Sequence, residues 1–369
     1  METRPFRQFV LKVHSRCNLA CDYCYVYELA DQGWRSRPRA MSAEVVAHTA
    51  ERVARHVRAH GLPEVEVVLH GGEPLLAGPA ALASLVRGFR SAVPAAVRFS
   101  VQTNATLLDR RFLALFAELG VGVGVSLDGG REAHDRHRKR PGGTGSWAAA
   151  RDALRLLASD EFRAVYRGVL CVVDVDNDPH DVYRSLLDFS PPVVDFLLPH
   201  GNWTTPPPRR LAGSPETPYA DWLIPLFDRW YDEPVTRVRL FEELLNVVLG
   251  GRSRLEGVGL TPTAQVVVET DGTISASDIL ASSQPAAAAT GLHVARDDFD
   301  RALPEVPAAS ALSATCRACS LVAACGGGLR AHRFRAGSGF DHPSVYCPDL
   351  VRLITHVRDR AATDLAALA

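Results

Sequence analysis

Short apolar runs alternate with longer amphipathic stretches through the first 200 residues. The run Phe9-Val10-Leu11-Lys12-Val13 heads the series. Strands are predicted at 8–13, 64–70, 97–101, 121–126, 166–173 and 193–198, and helices at 42–60, 79–92, 109–118, 146–159 and 178–188. Ser42 is placed to cap the first helix. Apolar strands separated by helices make six βα-type units, the signature of a parallel sheet covered on both faces. Each strand ends in a polar or glycine-bearing segment, and ligands gather at that edge of parallel sheets. The loop after the first strand, Gly71-Gly72-Glu73-Pro74, Gln102-Thr103-Asn104, Ser126-Leu127-Asp128-Gly129 and Pro199-His200-Gly201-Asn202 are therefore expected to ring one mouth. With six strands, an α/β fold with a partial (β/α)6 barrel is expected rather than a closed eight-stranded one.

The pattern changes after Pro206-Pro207-Pro208. Two helices are predicted at 219–233 and 240–249. A hairpin over 266–274 follows, with Asp271-Gly272 favouring a type I′ turn. Residues 285–289 read as a connector, 299–306 as locally helical, and 349–368 as a final helix with Asp349 as its cap. The expected organisation is a barrel domain at 1–215, a helical linker region at 216–260 and a small domain at 261–369.

Composition adds exclusions. With 41 basic and 42 acidic side chains, the net charge of -1 supplies no global field for nucleic acid or an anionic membrane. The one dense basic stretch is His134 to Arg140, which reads equally as a solvated charge run. No secretion signal is read at the start and no apolar run has membrane-spanning length, so a cytoplasmic protein is expected.

The eight cysteines are clustered. Cys17, Cys21 and Cys24 lie on one loop straight after the first strand; Cys316, Cys319, Cys325 and Cys347 form a second group. Cys171 stands alone in an apolar strand and reads as a small core hydrophobe. Thiolate-rich groups select iron–sulfur clusters or zinc. Three thiolates hold three corners of a cubane and leave one iron open; His14 could instead complete a zinc set. The second group fits a fully ligated cluster or a zinc knuckle. His48, His56 and His60 fall on the first helix and read as a surface stripe.

A strand, Cys-x3-Cys-x-aromatic-Cys with Tyr23 as the aromatic, and a Gly-Gly-Glu-Pro segment after the next strand together resemble the radical S-adenosylmethionine (SAM) superfamily over about residues 6–203. The resemblance implies a [4Fe-4S] cluster on Cys17, Cys21 and Cys24, with SAM on the open iron. It implies that Gly71 and Gly72 allow close approach of the methionine moiety and that Glu73 accepts from its ammonium. It places Ser126 and Arg138 near the SAM carboxylate and Gln102 and Asn104 on the ribose side. His200 and Asn202 are candidate substrate contacts.

The second cysteine group resembles the C-terminal half of a SPASM domain, which implies a second [4Fe-4S] cluster on Cys316, Cys319, Cys325 and Cys347. Full domains carry more cysteines; here Ser277 stands where one is expected, and Gly326-Gly327-Gly328 follows Cys325. Asp278 matches the acid that serves as a base in sulfatase-maturing enzymes. Pro199 to Trp203, Cys325 to Gly328, His332-Arg333 and Pro343 to Cys347 resemble FxsB-type maturases, which implies a cyclophane crosslink between a ring and a β-carbon in a ribosomally made precursor peptide. Peptide Ser or Cys oxidation to formylglycine, peptide epimerisation and a non-enzymatic electron carrier are the rivals. The implied partners are the precursor peptide and a flavodoxin- or ferredoxin-type electron donor.

Overall fold

The computed structural model describes residues 4–211, 213–262, 264–303 and 312–368. Its strands are β1 (Gln8–His14), β2 (Glu64–Gly71), β3 (Ala96–Thr103), β4 (Val121–Ser126), β5 (Tyr166–Val172), β6 (Val193–Leu197), β7 (Arg237–Val238), β8 (Gln265–Val268), β9 (Thr273–Ser275) and β10 (Ala289–His293). Between the early strands run α1 (Ala43–His60), α2 (Pro79–Ala92), α3 (Arg110–Leu119), α4 (Arg131–His137), α5 (Trp147–Leu157) and α6 (Pro179–Leu187). Helices α7 (Pro218–Asp232), α8 (Arg239–Val248), α9 (Ala314–Arg317), α10 (Val322–Cys325) and α11 (Cys347–Leu368) complete the chain.

Two compact units form, and neither follows chain order. The first gathers Met1–Leu127, His134–Val169 and Ala264–Val306; the second gathers Asp128–Ala133, Leu170–Thr263 and Pro307–Ala369. The stretch 261–369 is thus divided between the units. In the first, the strands lie in the order β10-β9-β8-β1-β2-β3-β4. β1 is parallel to β2 on one side and to β8 on the other. That central place explains its unbroken apolar run: both faces are covered, and Phe9, Leu11 and Val13 are buried. The helix starts follow side-chain capping. Ser42 accepts from Val45 N–H, Asp109 from Phe112 N–H and Asp178 from Asp181 N–H. In the second unit β6 pairs in parallel with β7.

Local expectations differ from the structure in five places. The 269–273 turn is not type I′, because Asp271 has no positive φ; Gly272 alone does, at +90°. Gly272 N–H donates to Glu269 O and Glu269 N–H to Thr273 O, both at 2.9 Å, the three-residue loop in which a type I turn ends on a left-handed glycine. The stretch taken as a connector leads into β10, antiparallel to β9. Asp349 does not cap its own helix, which begins at Cys347; its Oδ1 accepts from Tyr219 and Ala220 N–H at 2.8 and 3.1 Å, closing the first turn of α7. The basic stretch contains a helix, α4, whose His134 is buried. Of the helix expected at 299–306, a 3-10 turn forms at Phe299–Ala302, and 304–306 lie outside the described residues.

Candidate active site

β1 delivers the chain to the cysteine loop at His14. Gly71 ends β2 beside it, and the two segments are stitched together: Gly72 N–H donates to His14 O at 2.8 Å and Glu73 N–H to Arg16 O at 2.9 Å. A Cβ on Gly71 would sit 2.2 Å from His14 O. One on Gly72 would sit 1.8 Å from the Tyr27 hydroxyl and 2.5 Å from Arg16 backbone atoms. The missing side chains of the two glycines admit the close approach of the cysteine loop. Arg16 and Tyr27, unflagged by any motif, shape that loop. The Arg16 guanidinium donates to Trp34 O at 2.6 Å, and the Tyr27 hydroxyl to Ser15 O at 3.1 Å.

The three thiols are not in disulfides and are partly exposed. Burial pushes Cys17 up to about 11, against a hydrogen bond from Leu19 N–H; Glu73 and Cys24 push the same way as burial. Burial also raises Cys24, opposed by Val26 and Tyr27 N–H and by the charges of Arg138 and Lys12. Asn104 Nδ2 donates to Cys17 Sγ at 3.6 Å. Backbone and amide donors aimed at sulfur, with two cations nearby, stabilise bound thiolates. Zinc would need sulfurs about 3.8 Å apart, given Zn–S bonds near 2.3 Å in a tetrahedron. Among the described residues only His56, His60 and Asp300 place three donor atoms within 4.8 Å of one another, so neither cysteine group is gathered that tightly. Three thiols on one loop, with N–H donors aimed at sulfur, suit an iron–sulfur cluster by the chemistry of the set.

Glu73 is fully buried. Its carboxylate accepts from Leu75 N–H (3.0 Å), the Thr103 hydroxyl (2.7 Å) and Asn104 N–H (2.9 Å). Burial raises its pKa against these bonds. With about four acceptor positions on a carboxylate, Glu73 chiefly ties the ends of β2 and β3 and keeps room for one more donor. Gln102 donates to the Ser126 hydroxyl at 3.0 Å, and Gly124 leaves the space for it, since a Cβ there would meet Gln102 Oε1 at 2.4 Å. Asn104 turns toward the cysteine loop, donating to Asn18 Oδ1 at 3.0 Å. Arg138 is no solvated charge: only 8% exposed, it lies 5.7 Å from the Tyr23 ring centroid. The other face of the Tyr23 environment is His137, ring centroids 5.6 Å apart.

Asp278 follows β9 and reaches the same unit's β1. Its Oδ2 accepts from Lys12 Nζ at 2.7 Å and from the Tyr25 hydroxyl at 2.6 Å. Lys12 Nζ also lies 3.2 Å from Nδ1 of His70, its cross-strand neighbour. Burial alone would raise Asp278; Lys12, His70 and the two hydrogen bonds overturn that and hold it well below the usual carboxylate range. Burial and the Lys12 charge bring His70 down to about 4. Ser277 is buried, and its hydroxyl has no hydrogen-bond partner among the described residues.

In the second unit, Ser313 caps α9 and orients Cys316, whose N–H donates to Ser313 Oγ at 3.2 Å. Burial pushes Cys325 up to about 11, and the charges of Cys347, Cys316 and Cys319 add to the rise. Gly326, Gly327 and Gly328 all have positive φ (60°, 76° and 66°). Their carbonyls are gathered by the buried Arg333 guanidinium at 2.8, 3.0 and 2.8 Å.

Residues 11–186 match the family model described as the radical SAM superfamily. The chain has the fold of a radical SAM enzyme. Its core has the α/β barrel-like fold of that family, its cofactors are SAM and an iron–sulfur cluster, and its C-terminal cysteine-rich region resembles a SPASM domain. The chain is 28% identical over 282 residues to the cysteine-type anaerobic sulfatase-maturating enzyme of Clostridium perfringens (strain 13), covering 74% of each chain. It is 26% identical to the serine-type enzyme of Bacteroides thetaiotaomicron, covering 66% of this chain and 62% of that one. Among solved structures, anSMEcpe with bound AdoMet and Cp18Cys peptide superposes with a TM-score of 0.81 at 23% identity, covering 99% and 100% of the two chains. Streptococcus suis SuiB bound to its precursor peptide SuiA gives 0.58 at 14% identity, covering 94% and 76%.

The remaining expectations for this radical SAM enzyme are resolved residue by residue. Cys171 is buried in β5, as its apolar setting implied. Asn202 is buried, and its Oδ1 accepts from Thr204 and Thr205 N–H at 2.8 and 2.9 Å, an Asx turn. His200 Nδ1 lies 3.2 Å from Nε2 of the buried His332. Trp203 donates to Pro343 O at 2.8 Å, and the Tyr346 hydroxyl to Pro199 O at 2.5 Å. The segments 199–203 and 332–347 thus pack together within the second unit. No helix of the described residues is long and apolar enough to cross a membrane.

Proposed function

We propose that this radical SAM enzyme oxidises the β-carbon of a Ser or Cys in a bound peptide, the chemistry implied by its sulfatase-maturating relatives. The observation that carries the reading is Asp278, a carboxylate only 14% exposed, kept ionised by Lys12 and hydrogen-bonded to Tyr25, the residue directly after Cys24. Cys17, Cys21 and Cys24 would hold a cluster with one open iron. Arg138 would pair with the SAM carboxylate, Ser126 and Gln102 would complete that side, and Tyr23 would pack against it. Gly71, Gly72, Glu73 and Asn104 would position the cysteine loop. When bound, the reduced cluster and SAM supply a carbon radical able to take an unactivated hydrogen atom. The β-carbon loses that hydrogen atom, the Ser hydroxyl loses its proton to Asp278, and one electron leaves. A carbonyl results and the residue is lighter by two hydrogens.

The departing electron needs an acceptor. Cys316, Cys319, Cys325 and Cys347 would hold a second [4Fe-4S] cluster for it, and a flavodoxin- or ferredoxin-type donor would reduce the first. A ring-to-β-carbon crosslink in a ribosomal precursor peptide is the second reading. The packing of 199–203 against 332–347 favours it, because both stretches carry the FxsB resemblance. There the β-carbon radical adds to an aromatic ring, which then loses a proton and an electron, again two hydrogens in all.

The test incubates anaerobically reconstituted protein, reductant and SAM with a sulfatase-type Ser peptide and, separately, with a precursor peptide encoded beside the gene. A product lighter by two hydrogens that reacts with a hydrazide is the expected aldehyde. The same mass without hydrazide reaction, with ring-to-β-carbon fragments, assigns the crosslink instead. SAM cleavage that leaves both peptides unchanged refutes β-carbon chemistry on peptides.

A further inference from the structure

His56 and His60 lie one turn apart on α1, and the 3-10 turn Phe299–Ala302 brings Asp300 against them. His56 Nδ1 and His60 Nε2 lie 2.6 and 2.9 Å from the same oxygen, Asp300 Oδ1. The other nitrogen of His56, Nε2, lies 3.1 Å from the Phe6 carbonyl. A carbonyl only accepts, so Nε2 carries the hydrogen and a neutral ring turns a lone pair on Nδ1 toward the carboxylate. Two lone pairs do not face each other at 2.6 Å without a cation between them. A proton or a metal ion meets that need. With His60 Nε2, His56 Nδ1 and Asp300 Oδ1 make three donor atoms within 4.8 Å of one another, the spacing of a metal site.

We propose that His56 Nδ1, His60 Nε2 and Asp300 Oδ1 form a divalent metal site of zinc type, distinct from both cysteine groups, that staples the 299–302 turn to α1. Zinc takes imidazole and carboxylate together, and three protein ligands leave a fourth position for water. A ring N–H donated to a backbone carbonyl fixes the tautomer of metal-binding histidines, the bond His56 makes to Phe6. The neighbouring Asp298 does not compete, because Arg52 and Arg55 engage it at 2.9 and 3.3 Å. Tetrahedral zinc spaces adjacent N and O donors by about 3.3 Å, so the carboxylate and His60 move outward by a few tenths of an ångström. Both have the freedom, with side chains 43% and 28% exposed, whereas His56 is anchored. The ion would fix the segment that follows β10 against α1, reinforcing the Arg52 guanidinium, which already donates to Val294 O at 2.8 Å and Ala295 O at 3.0 Å.

The test uses the anaerobic, iron-loaded protein dialysed against chelator-buffered Zn(II), with iron and zinc counted per chain and the zinc environment read by X-ray absorption. The expected result is one zinc with only nitrogen and oxygen neighbours. His60→Ala and Asp300→Asn, both at the exposed side, should weaken zinc binding about tenfold or more while leaving iron content unchanged. Absence of zinc, zinc with sulfur neighbours, or equal zinc in the two variants would overturn the site and leave a proton-bridged cluster. None of these readouts depends on SAM cleavage or peptide chemistry.

Discussion

Lys12→Met probes the buried pair on which Asp278 depends. The ammonium and carboxylate are 2.7 Å apart, with side chains only 7% and 14% exposed. At an effective dielectric near 20 their gross attraction is about 6 kcal/mol, most of it offset by the cost of desolvating both ions. Removing one partner leaves that cost uncompensated, so the variant should lose about 3–5 kcal/mol at pH 7. Lys12→Met/Asp278→Asn removes both charges, retains a partner for Tyr25 and should recover all but about 1–2 kcal/mol. The pH dependence has a definite sign. In the parent the folded pKa of Asp278 is depressed, so its stabilisation is present above the unfolded value near 3.9 and is lost as pH falls through the folded pKa. In Lys12→Met, burial acts without the ammonium and raises that pKa, so the deficit is greatest at neutral pH and shrinks on acidification. Anaerobic urea unfolding followed by circular dichroism between pH 5 and 8 measures both. A deficit under about 1 kcal/mol, or a double variant as unstable as the single, would refute the pairing argument.

Other consequences are equally direct. Gly72→Ala should abolish loading of the first cluster, because the new methyl meets Arg16 backbone at 2.5 Å; Gly142→Ala, with nothing within 4 Å, should leave iron content unchanged. Arg333→Met strands three buried carbonyls, at about 1–3 kcal/mol each before relaxation, and should lower iron per chain by one cluster while SAM cleavage persists. Cys17→Ala should eliminate 5′-deoxyadenosine formation. Cys347→Ala should preserve it and eliminate the peptide product, measured by chromatography and mass spectrometry of the same reactions.

The strands of the early chain were legible because parallel strands buried on both faces have one composition, and capping residues such as Ser42 mark helix starts. The cysteine loop was legible because metal ligation demands fixed residue types at fixed spacing. Lys12 carried a readable signal that motif reading passed over: one cation inside a buried apolar strand requires an anion. Its identity, Asp278, lay 266 positions away, beyond any local pattern. Gly71 and Gly72 were recognised as necessary, but whether a glycine makes room for a ligand or for the chain's own backbone is decided only by packing. The same holds for His56 and His60, whose helical spacing was visible while Asp300 was not.

The position of β8 between β9 and β1 has a consequence for the order in which the protein is made. β1 and the cysteine loop leave the ribosome first, yet the strand that flanks β1 comes at Gln265–Val268 and the anion for Lys12 at Asp278. At about 5–20 residues per second, the 266 positions between Lys12 and Asp278 take roughly 13–53 s to synthesise. Throughout that interval one side of β1 has no neighbour and its lysine no counter-ion. The surroundings of the cysteine loop are therefore completed only when β8 and β9 arrive. Expression at lowered translation rate or without iron–sulfur assembly factors should penalise the first centre before the second.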